Sequence, residues 1–385
     1  MMETNRASAA RGGVNGRTDR RRDQPGRETD RQDERKEAEK GRKGGQMLKR
    51  SLMAGMYGLF ACLFLLFFWY YGLRGQGTDW DEAAAGLAGD MEETYVMVTF
   101  QSGLDYWRGI MKGFEDAARN LNVSVEFRGA TQYDPHEEVI VLEQAIARKP
   151  AGIAVTAINP EALNASIAKA VQQGIPIVLF DSGAPESKAY AFYGTDNYKA
   201  GVQAAREMAR LLRGEGEVAV ITQPNQLNHQ ERTEGFRDTI EREFPGIRVV
   251  EVADGKGEIA ESREAALRIL LERPEVDGFF ATQANGGVGI GRAVQELGLQ
   301  GRKAIIGFDT DKGTLDMVRD GTINATLAQG TWNMGYWSLM GLFHLYHGLT
   351  DNDGTGSNTG HPLPPFVDTG ITVVTRENVE RFYAK

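Results

Sequence analysis

The sequence predicts an α/β protein of two doubly wound parallel-sheet lobes, preceded by one transmembrane helix. Three observations carry this. From Thr94 onward short apolar runs alternate with amphipathic helical stretches, the pattern of right-handed βαβ units in a parallel sheet. The alternation restarts near Lys199, so two such blocks follow one another. Ahead of both, Ser51 to Leu73 contains no charged residue, and roughly 20 apolar residues span a bilayer as a helix.

In the first block, Tyr95–Phe100 reads as a strand. Tyr106–Leu121 reads as a helix, with Trp107, Ile110, Met111, Phe114, Ala117, Ala118 and Leu121 at helical spacing. Strand Val123–Phe127 follows, then helix Pro135–Arg148 with proline in its first turn. Strand Gly152–Val155, helix Pro160–Gln173 and strand Ile175–Phe180 complete the block. The unbroken apolar run of the last strand fits burial on both faces. The second block reads as helix Lys199–Leu212, strand Glu217–Ile221, helix Gln230–Glu243, strand Arg248–Val252 and helix Glu258–Leu271. Strand Gly278–Phe280, helix Gly287–Leu297, strand Lys303–Phe308, helix Lys312–Arg319 and strand Ala325–Ala328 continue it. A long helix spans about Trp332 to Leu349. A polar loop follows from Asp351 to Pro365, and strand Ile371–Val374 and short helix Arg376–Phe382 end the chain.

The apolar segment is flanked by Lys49 and Arg50 before it, and closed by Trp69, Tyr70 and Tyr71. Basic residues stay in the cytoplasm and aromatics settle at the interface, so the N-terminus is expected inside and everything after Leu73 outside. Residues 51–73 are thus read as an uncleaved anchor and residues 74–93 as an acidic, small-residue linker. Two alternatives compete: a cleaved signal peptide, whose apolar core is shorter, and a lipobox at Leu59-Phe60-Ala61-Cys62, against which the apolar run continues past Cys62. Residues 1–50 are too polar to bury a core and are expected to be disordered. Met47 opens a conventional export sequence, MLKRSLMAG, so the preceding residues are expected either to form a cytoplasmic arm or to be untranslated.

Cys62 is the only cysteine of the chain, so the lobes depend on their cores and not on disulfides or a zinc cluster. The net charge of −9 offers no basic face to nucleic acid. In open parallel sheets ligands sit beyond the carboxyl ends of the strands. The residues found there are Gln101, Asp105, Tyr106 and Trp107; Asp181 and Ser182; the stretch Asn225 to Arg232, with Gln226, Asn228, His229 and Arg232; Gln283 and Asn285; Asp309; and Gln329. Carboxylates accept from hydroxyls, guanidinium and amides donate to them, and a flat aromatic covers the C–H face of a sugar ring. Taken alone, an aspartate after a strand is as readily a helix cap, and an aromatic opening a helix is as readily core. The number of such residues, not any one, makes the pattern.

These residues resemble the type I periplasmic sugar-binding proteins of the ribose-, xylose- and galactose-binding kind, whose fold is shared by the ligand domains of lactose-type repressors. The resemblance covers Thr94 to the C-terminus. It rests on Asp181 after Ile-Pro-Ile-Val-Leu-Phe, Gly194-Thr195-Asp196-Asn197, Glu231-Arg232-Thr233-Glu234-Gly235-Phe236, Gly307-Phe308-Asp309, Ala328-Gln329 and the ending from Asp368 to Asn378. It implies two lobes joined by a three-segment hinge: residues 94–196 with 330–367, and residues 197–329 with 368–385. It also implies that Asp181, Arg232, Asp309 and Gln329 bind sugar hydroxyls, that Gln283 stands where the family often has Asn, and that Tyr106 and Trp107 face the ring. Departures from the ribose pattern are Ser182 in place of a second arginine, Gly103-Leu104-Asp105 where an asparagine is expected, and no aromatic near Gly255-Lys256-Gly257. The implied ligand is a pentose or hexose.

A repressor would need a helix-turn-helix ahead of the lobes, and residues 1–50 hold no amphipathic helix pair. Gly286-Gly287-Val288-Gly289-Ile290-Gly291 departs from the dinucleotide fingerprint at Arg292, and His344 and His347 lack a third metal ligand. The expectation is therefore binding without catalysis, cofactor or metal. The partner is expected to be an ABC permease that takes the sugar or a membrane histidine kinase that senses it, and the anchor tilts the choice towards sensing.

Overall fold

The computed structural model describes residues 52–70, 87–350 and 362–383. The tail 1–50 and most of the loop 351–365 lie outside them. Two units are described separately. The first contains helix α1, Leu52–Tyr70, which is long and apolar enough to cross a membrane by length and composition. Nineteen residues at about 1.5 Å each give about 28 Å, close to the thickness of a bilayer core. Cys62 lies within this helix.

In the second unit, six strands make the first sheet. They are β1 (Thr94–Thr99), β2 (Ser124–Gly129), β3 (Gly152–Val155), β4 (Ile177–Phe180), β5 (Phe192–Gly194) and β11 (Phe366–Asp368), in the order β11-β5-β4-β3-β1-β2 and all parallel. Helices α2 (Trp107–Leu121), α3 (Pro135–Ala147) and α4 (Pro160–Gln172) return the chain between them. Their starts are written locally. Asp134 accepts from His136 N–H and Asn159 from Ala162 N–H, each followed by a proline at the first helical position.

The second sheet has the order β12-β10-β9-β8-β6-β7, from β6 (Gly216–Thr222), β7 (Ile247–Asp254), β8 (Gly278–Ala281), β9 (Ala304–Phe308), β10 (Ala325–Gln329) and β12 (Ile371–Thr375). Its helices are α5 (Asn197–Leu212), α6 (Leu227–Glu243), α7 (Ile259–Glu272), α8 (Ala284–Glu296) and α9 (Lys312–Asp320), while α10 (Thr331–Tyr346) packs back on α2 and the first sheet. Each sheet buries both faces. Phe114, Leu342 and Phe343 lie on one side of the first sheet and Leu142, Leu163 and Ile167 on the other. Met208, Phe236 and Ile240 cover one side of the second and Ala266, Ile269 and Ile290 the other.

Several expectations change. β5 and β11 carry no periodic signal in the sequence, because three residues are too few to show a period. β12 pairs antiparallel with β10, so the second sheet is not wholly parallel. The C-terminal helix is one 3₁₀ turn, Val379–Arg381. The linker ends earlier than residue 93: Gly89 N–H donates to Leu121 O and Ser124 N–H to Glu93 O, which ties this stretch to the first lobe.

Three crossings lie side by side between the sheets. Thr369 N–H donates to Gly194 O at 2.9 Å and Gly330 N–H to Gly370 O at 3.1 Å. A Cβ on Gly330 would stand 2.1 Å from Thr369 O, so only glycine lets the crossings approach this closely. The same economy sets the two tightest helix pairs. A Cβ on Gly335 would lie 1.8 Å from Ile110 O, across the α2–α10 contact, and one on Gly235 would lie 2.1 Å from Tyr198 O, across α5–α6. Gly335→Ala is expected to lower the stability of the Gly86–Lys385 unit by about 1–3 kcal/mol in urea unfolding. Gly103→Ala, which meets nothing within 4 Å, should change it by less than about 0.5 kcal/mol.

Candidate functional site in the interlobe cleft

Three strands end in the same way at the cleft. β1, β4 and β9 run into Phe100-Gln101, Phe180-Asp181 and Phe308-Asp309, where the phenylalanine is buried and the next residue turns to positive φ: 37° at Gln101, 60° at Asp181 and 65° at Asp309. Non-glycine residues pay sterically for the left-handed region, and Asp is among those that tolerate it best. Such conformations persist where the surroundings over-determine them, and here they aim a polar side chain into the space between the lobes.

That space is a cavity of about 300 Å³, at the lower end of the range for small-molecule sites. One hydrogen-bond chain crosses it. Tyr106 Oη donates to Asp181 Oδ1, and Thr156 Oγ1 also reaches Asp181, at 3.4 Å from Oδ2. Gln329 Nε2 donates to Tyr106 Oη at 3.0 Å and to Asp309 Oδ1 at 2.8 Å. Gln329 Oε1 accepts from Arg232 Nη2 at 3.1 Å and from Thr195 Oγ1 at 2.7 Å. Arg232 is held further by Nε to Asn197 Oδ1 at 2.9 Å and Nη1 to Thr282 O at 2.8 Å, and its guanidinium lies 3.8 Å from the centroid of Phe308. Tyr106 and Asp181 come from the first lobe, and Arg232, Asp309 and Gln329 from the second or its edge.

Burial dominates the electrostatics. It pushes Asp309 up to about 7, against the opposing pull of Arg232 and the Gln329 hydrogen bond. Asp181 is raised by the same cause, opposed by the Tyr106 hydrogen bond and by Arg232. Burial lowers Arg232, and the nearby Asp309 works against that. His229 is driven well below its usual range by burial and then by Arg232, so it stays neutral, with Nδ1 3.0 Å from Thr282 O. A carbonyl only accepts, which places the ring proton on Nδ1.

Of the residues expected from sequence, Gln101, Asp105, Tyr106, Trp107, Asp181, Asn228, Arg232, Gln283, Asn285, Asp309 and Gln329 all line the cavity. Ser182 does not. Its N–H lies 3.3 Å from Thr156 Oγ1 and its hydroxyl is buried without a hydrogen-bond partner among the described residues. The Trp107 indole N–H donates to Phe100 O at 2.9 Å and its ring packs edge-on against Phe100, Tyr106 and Phe180, so it is buried in the core of the first lobe while still lining the cavity. Asn285 and Gln283 also serve locally, Gln283 Oε1 capping α8 through Asn285 N–H. Gln226 and His229, from the polar stretch expected beyond β6, line it as well, and Tyr133, Gln223, Lys256, Glu258 and Asp311 are lining residues outside the expected set. The rule that ligands sit beyond strand ends would have found Tyr133 after β2, and Lys256 and Glu258 after β7, had it been applied to every strand. Among the described residues no group of three His, Cys, Asp or Glu is placed to hold a metal ion.

Two α/β lobes, three crossings and a polar cavity between the lobes define a binding protein of the two-lobed, hinged class. The chain belongs to the periplasmic binding protein domain family, whose profile it matches over residues 95–348. It is similar to a sugar ABC transporter sugar-binding protein from Bacillus halodurans, with 62% identity over 76% of this chain and 100% of that one and a TM-score of 0.72. It is similar also to AraP, an arabinose-binding protein from Geobacillus stearothermophilus, with 63% identity over 76% of this chain and 99% of that one and a TM-score of 0.70. A third likeness is to the structure of a XylFII-LytSN complex, with 27% identity over 74% of this chain and 98% of that one and a TM-score of 0.66.

The raised carboxyl at Asp309 has a measurable sign. Unfolded, the group loses its proton near 3.8; folded, it keeps it to about 7. Between these values the folded state binds the extra proton, so this group's contribution to stability falls as pH rises from about 4 to about 7 and is constant above. Asp309→Asn should therefore flatten the decline between pH 5 and pH 8 by about 2–3 kcal/mol, read by urea unfolding of the unliganded protein at both values. An unchanged slope would show that Asp309 ionises in the folded cleft as it does in water.

Proposed function

We propose that the chain is a membrane-anchored receptor that binds a small neutral sugar, an aldopentose of the arabinose class first, in the interlobe cavity and does no chemistry on it. One observation carries the reading: acceptors Asp181 and Asp309, donors Arg232 and Gln329 and the amphoteric Tyr106 converge from two lobes on one small cavity. Vicinal hydroxyls, each donor and acceptor at once, complement such a set. The 63% identity to an arabinose-binding protein supports the choice of sugar. Residues 94–196 with 330–367 then move against residues 197–329 with 368–385, and a ligand touching both bodies favours closure. Helix Leu52–Tyr70 would keep the receptor at the membrane, with the lobes on the extracytoplasmic side.

Delivery to an ABC permease is supported by the likeness to a sugar ABC transporter component. A second reading, sensing through a membrane histidine kinase, is favoured by the apolar helix together with the likeness to a structure of XylFII in complex with LytSN. Transport hands the sugar on, whereas sensing leaves it bound and uses the closed surface.

Asp181→Ala, Arg232→Ala and Asp309→Ala are each expected to weaken arabinose binding by about 2–4 kcal/mol, because each strands a buried polar partner. Calorimetry over a panel of pentoses and hexoses checks this, and three variants binding like wild type would remove the site. For the partner, deletion of the gene with the permease expressed constitutively separates the readings. Lost uptake supports delivery; retained uptake with lost sugar-induced transcription supports sensing.

A further inference from the structure

A second cavity, of about 440 Å³, lies behind the sugar cleft and is also built from both lobes. One wall is a row of side chains in register across three neighbouring strands, Leu179, Phe192 and Phe366, with the two phenylalanine rings stacked at 5.7 Å and 20°. Pro185 extends this apolar wall. The facing wall comes from the first turns of α5 and α6 and includes Asp196 and Glu231. Among the described residues that line the cavity there is no Lys, Arg or His.

We propose that this cavity is a second ligand site that takes a small organic cation with an apolar body, such as a primary amine on an aromatic ring. The aromatic wall offers a surface for the body and a π face for the charge, and the carboxylates opposite select a positive group over a neutral or negative one. Asp196 is already shared, its Oδ2 lying 2.7 Å from Lys199 Nζ. Glu231 is the freer acceptor: it is half-buried, and its contact within the cavity wall is with the Asn197 amide. Burial raises its pKa, which a bound ammonium would reverse.

The two cavities share a partition. Asn197 touches Glu231 on one side and accepts from Arg232 Nε at 2.9 Å on the other, and Asn228 lines both spaces. Both cavities are formed in the same arrangement of the lobes. A ligand in either therefore favours the arrangement that the other requires, and the coupling is reciprocal. This coupling rests on the sugar reading of the front cleft, whereas the amine site itself does not.

The test uses the full chain in lipid nanodiscs with three probes of one shape, 2-phenylethylamine, 2-phenylethanol and phenylacetate, titrated by calorimetry. The amine should bind, the alcohol about tenfold more weakly, and the acid not measurably. Glu231→Gln and Phe366→Ala should each weaken the amine by about tenfold or more while leaving circular dichroism unchanged. Saturating amine should tighten arabinose by about fivefold, and arabinose should tighten the amine equally. No amine binding, equal binding to Glu231→Gln, or competition between the amine and arabinose would each overturn the proposal. Amine binding by these rules in a chain that binds no sugar would sink the sugar reading and leave this site standing.

Discussion

The buried guanidinium of Arg232 is the constraint around which the cleft is arranged. It is 1% exposed, and a cation in that position is tolerable only when its donors are met and a counter-charge is near. Meeting them draws on four separate places in the chain: Asn197 at the start of α5, Thr282 after β8, Gln329 at the end of β10 and the face of Phe308 before Asp309. None of these is near Arg232 in sequence. The second lobe must therefore be folded, with α5 and α6 in close contact, before the charge is satisfied. Gly201 and Gly235 allow that contact, since a Cβ on Gly201 would lie 2.1 Å from Arg232 O itself. The packing glycine and the ligand-facing arginine belong to one device.

From Arg232 the order passes to the first lobe through a single amide. Gln329 is held by Arg232 and Thr195 on its oxygen and donates from its nitrogen to Asp309 and Tyr106, and Tyr106 reaches Asp181. Gln329 stands at the mouth of one of the three crossings, next to Gly330, so the crossing and the polar chain meet at one residue. A rotation that separates Tyr106 from Gln329 breaks the link without disturbing either core. This is how two rigid sheets can carry a bistable contact: the soft coordinates lie in three short crossings, and the stiff parts lie on either side.

Much of this was legible in the sequence, and the reasons for the gaps are local. Runs such as Ile177-Val178-Leu179-Phe180 announce a strand buried on both faces, and Asp134-Pro135 and Asn159-Pro160 announce helix starts, because those preferences are set within a few residues. Phe192–Gly194 and Phe366–Asp368 carry no such signal. Phe366–Asp368 is a strand because it lies beside Phe192–Gly194, 174 positions earlier in the chain, and Phe192–Gly194 because it lies between that segment and β4. The site shows the same division. That Asp181, Arg232, Asp309 and Gln329 gather at strand ends follows from topology. That Ser182 is buried beside Thr156, and that Trp107 sinks into the core with its indole on the carbonyl of Phe100, do not. Both depend on three-dimensional surroundings that a motif does not record. Tyr133, too, lines the cavity, packing edge-on against Phe100.

The polar chain also sets what a ligand must do. In this arrangement the cleft groups satisfy one another across the lobes, so a sugar gains only the difference between its own hydrogen bonds and those it replaces. A ligand that fills the cavity but lacks a donor for Asp309 leaves a buried carboxyl without compensation, and one that lacks an acceptor near Arg232 does the same for the cation. Omission of one hydroxyl at such a place costs more than addition of one at the rim. Discrimination between sugars of equal size therefore lies in the direction of their hydroxyls, against donors and acceptors that the fold of the second lobe has already fixed. The charge state at Asp309 belongs to the same balance: burial raises its pKa, and Arg232 and any group that donates to the carboxylate favour the ionised form.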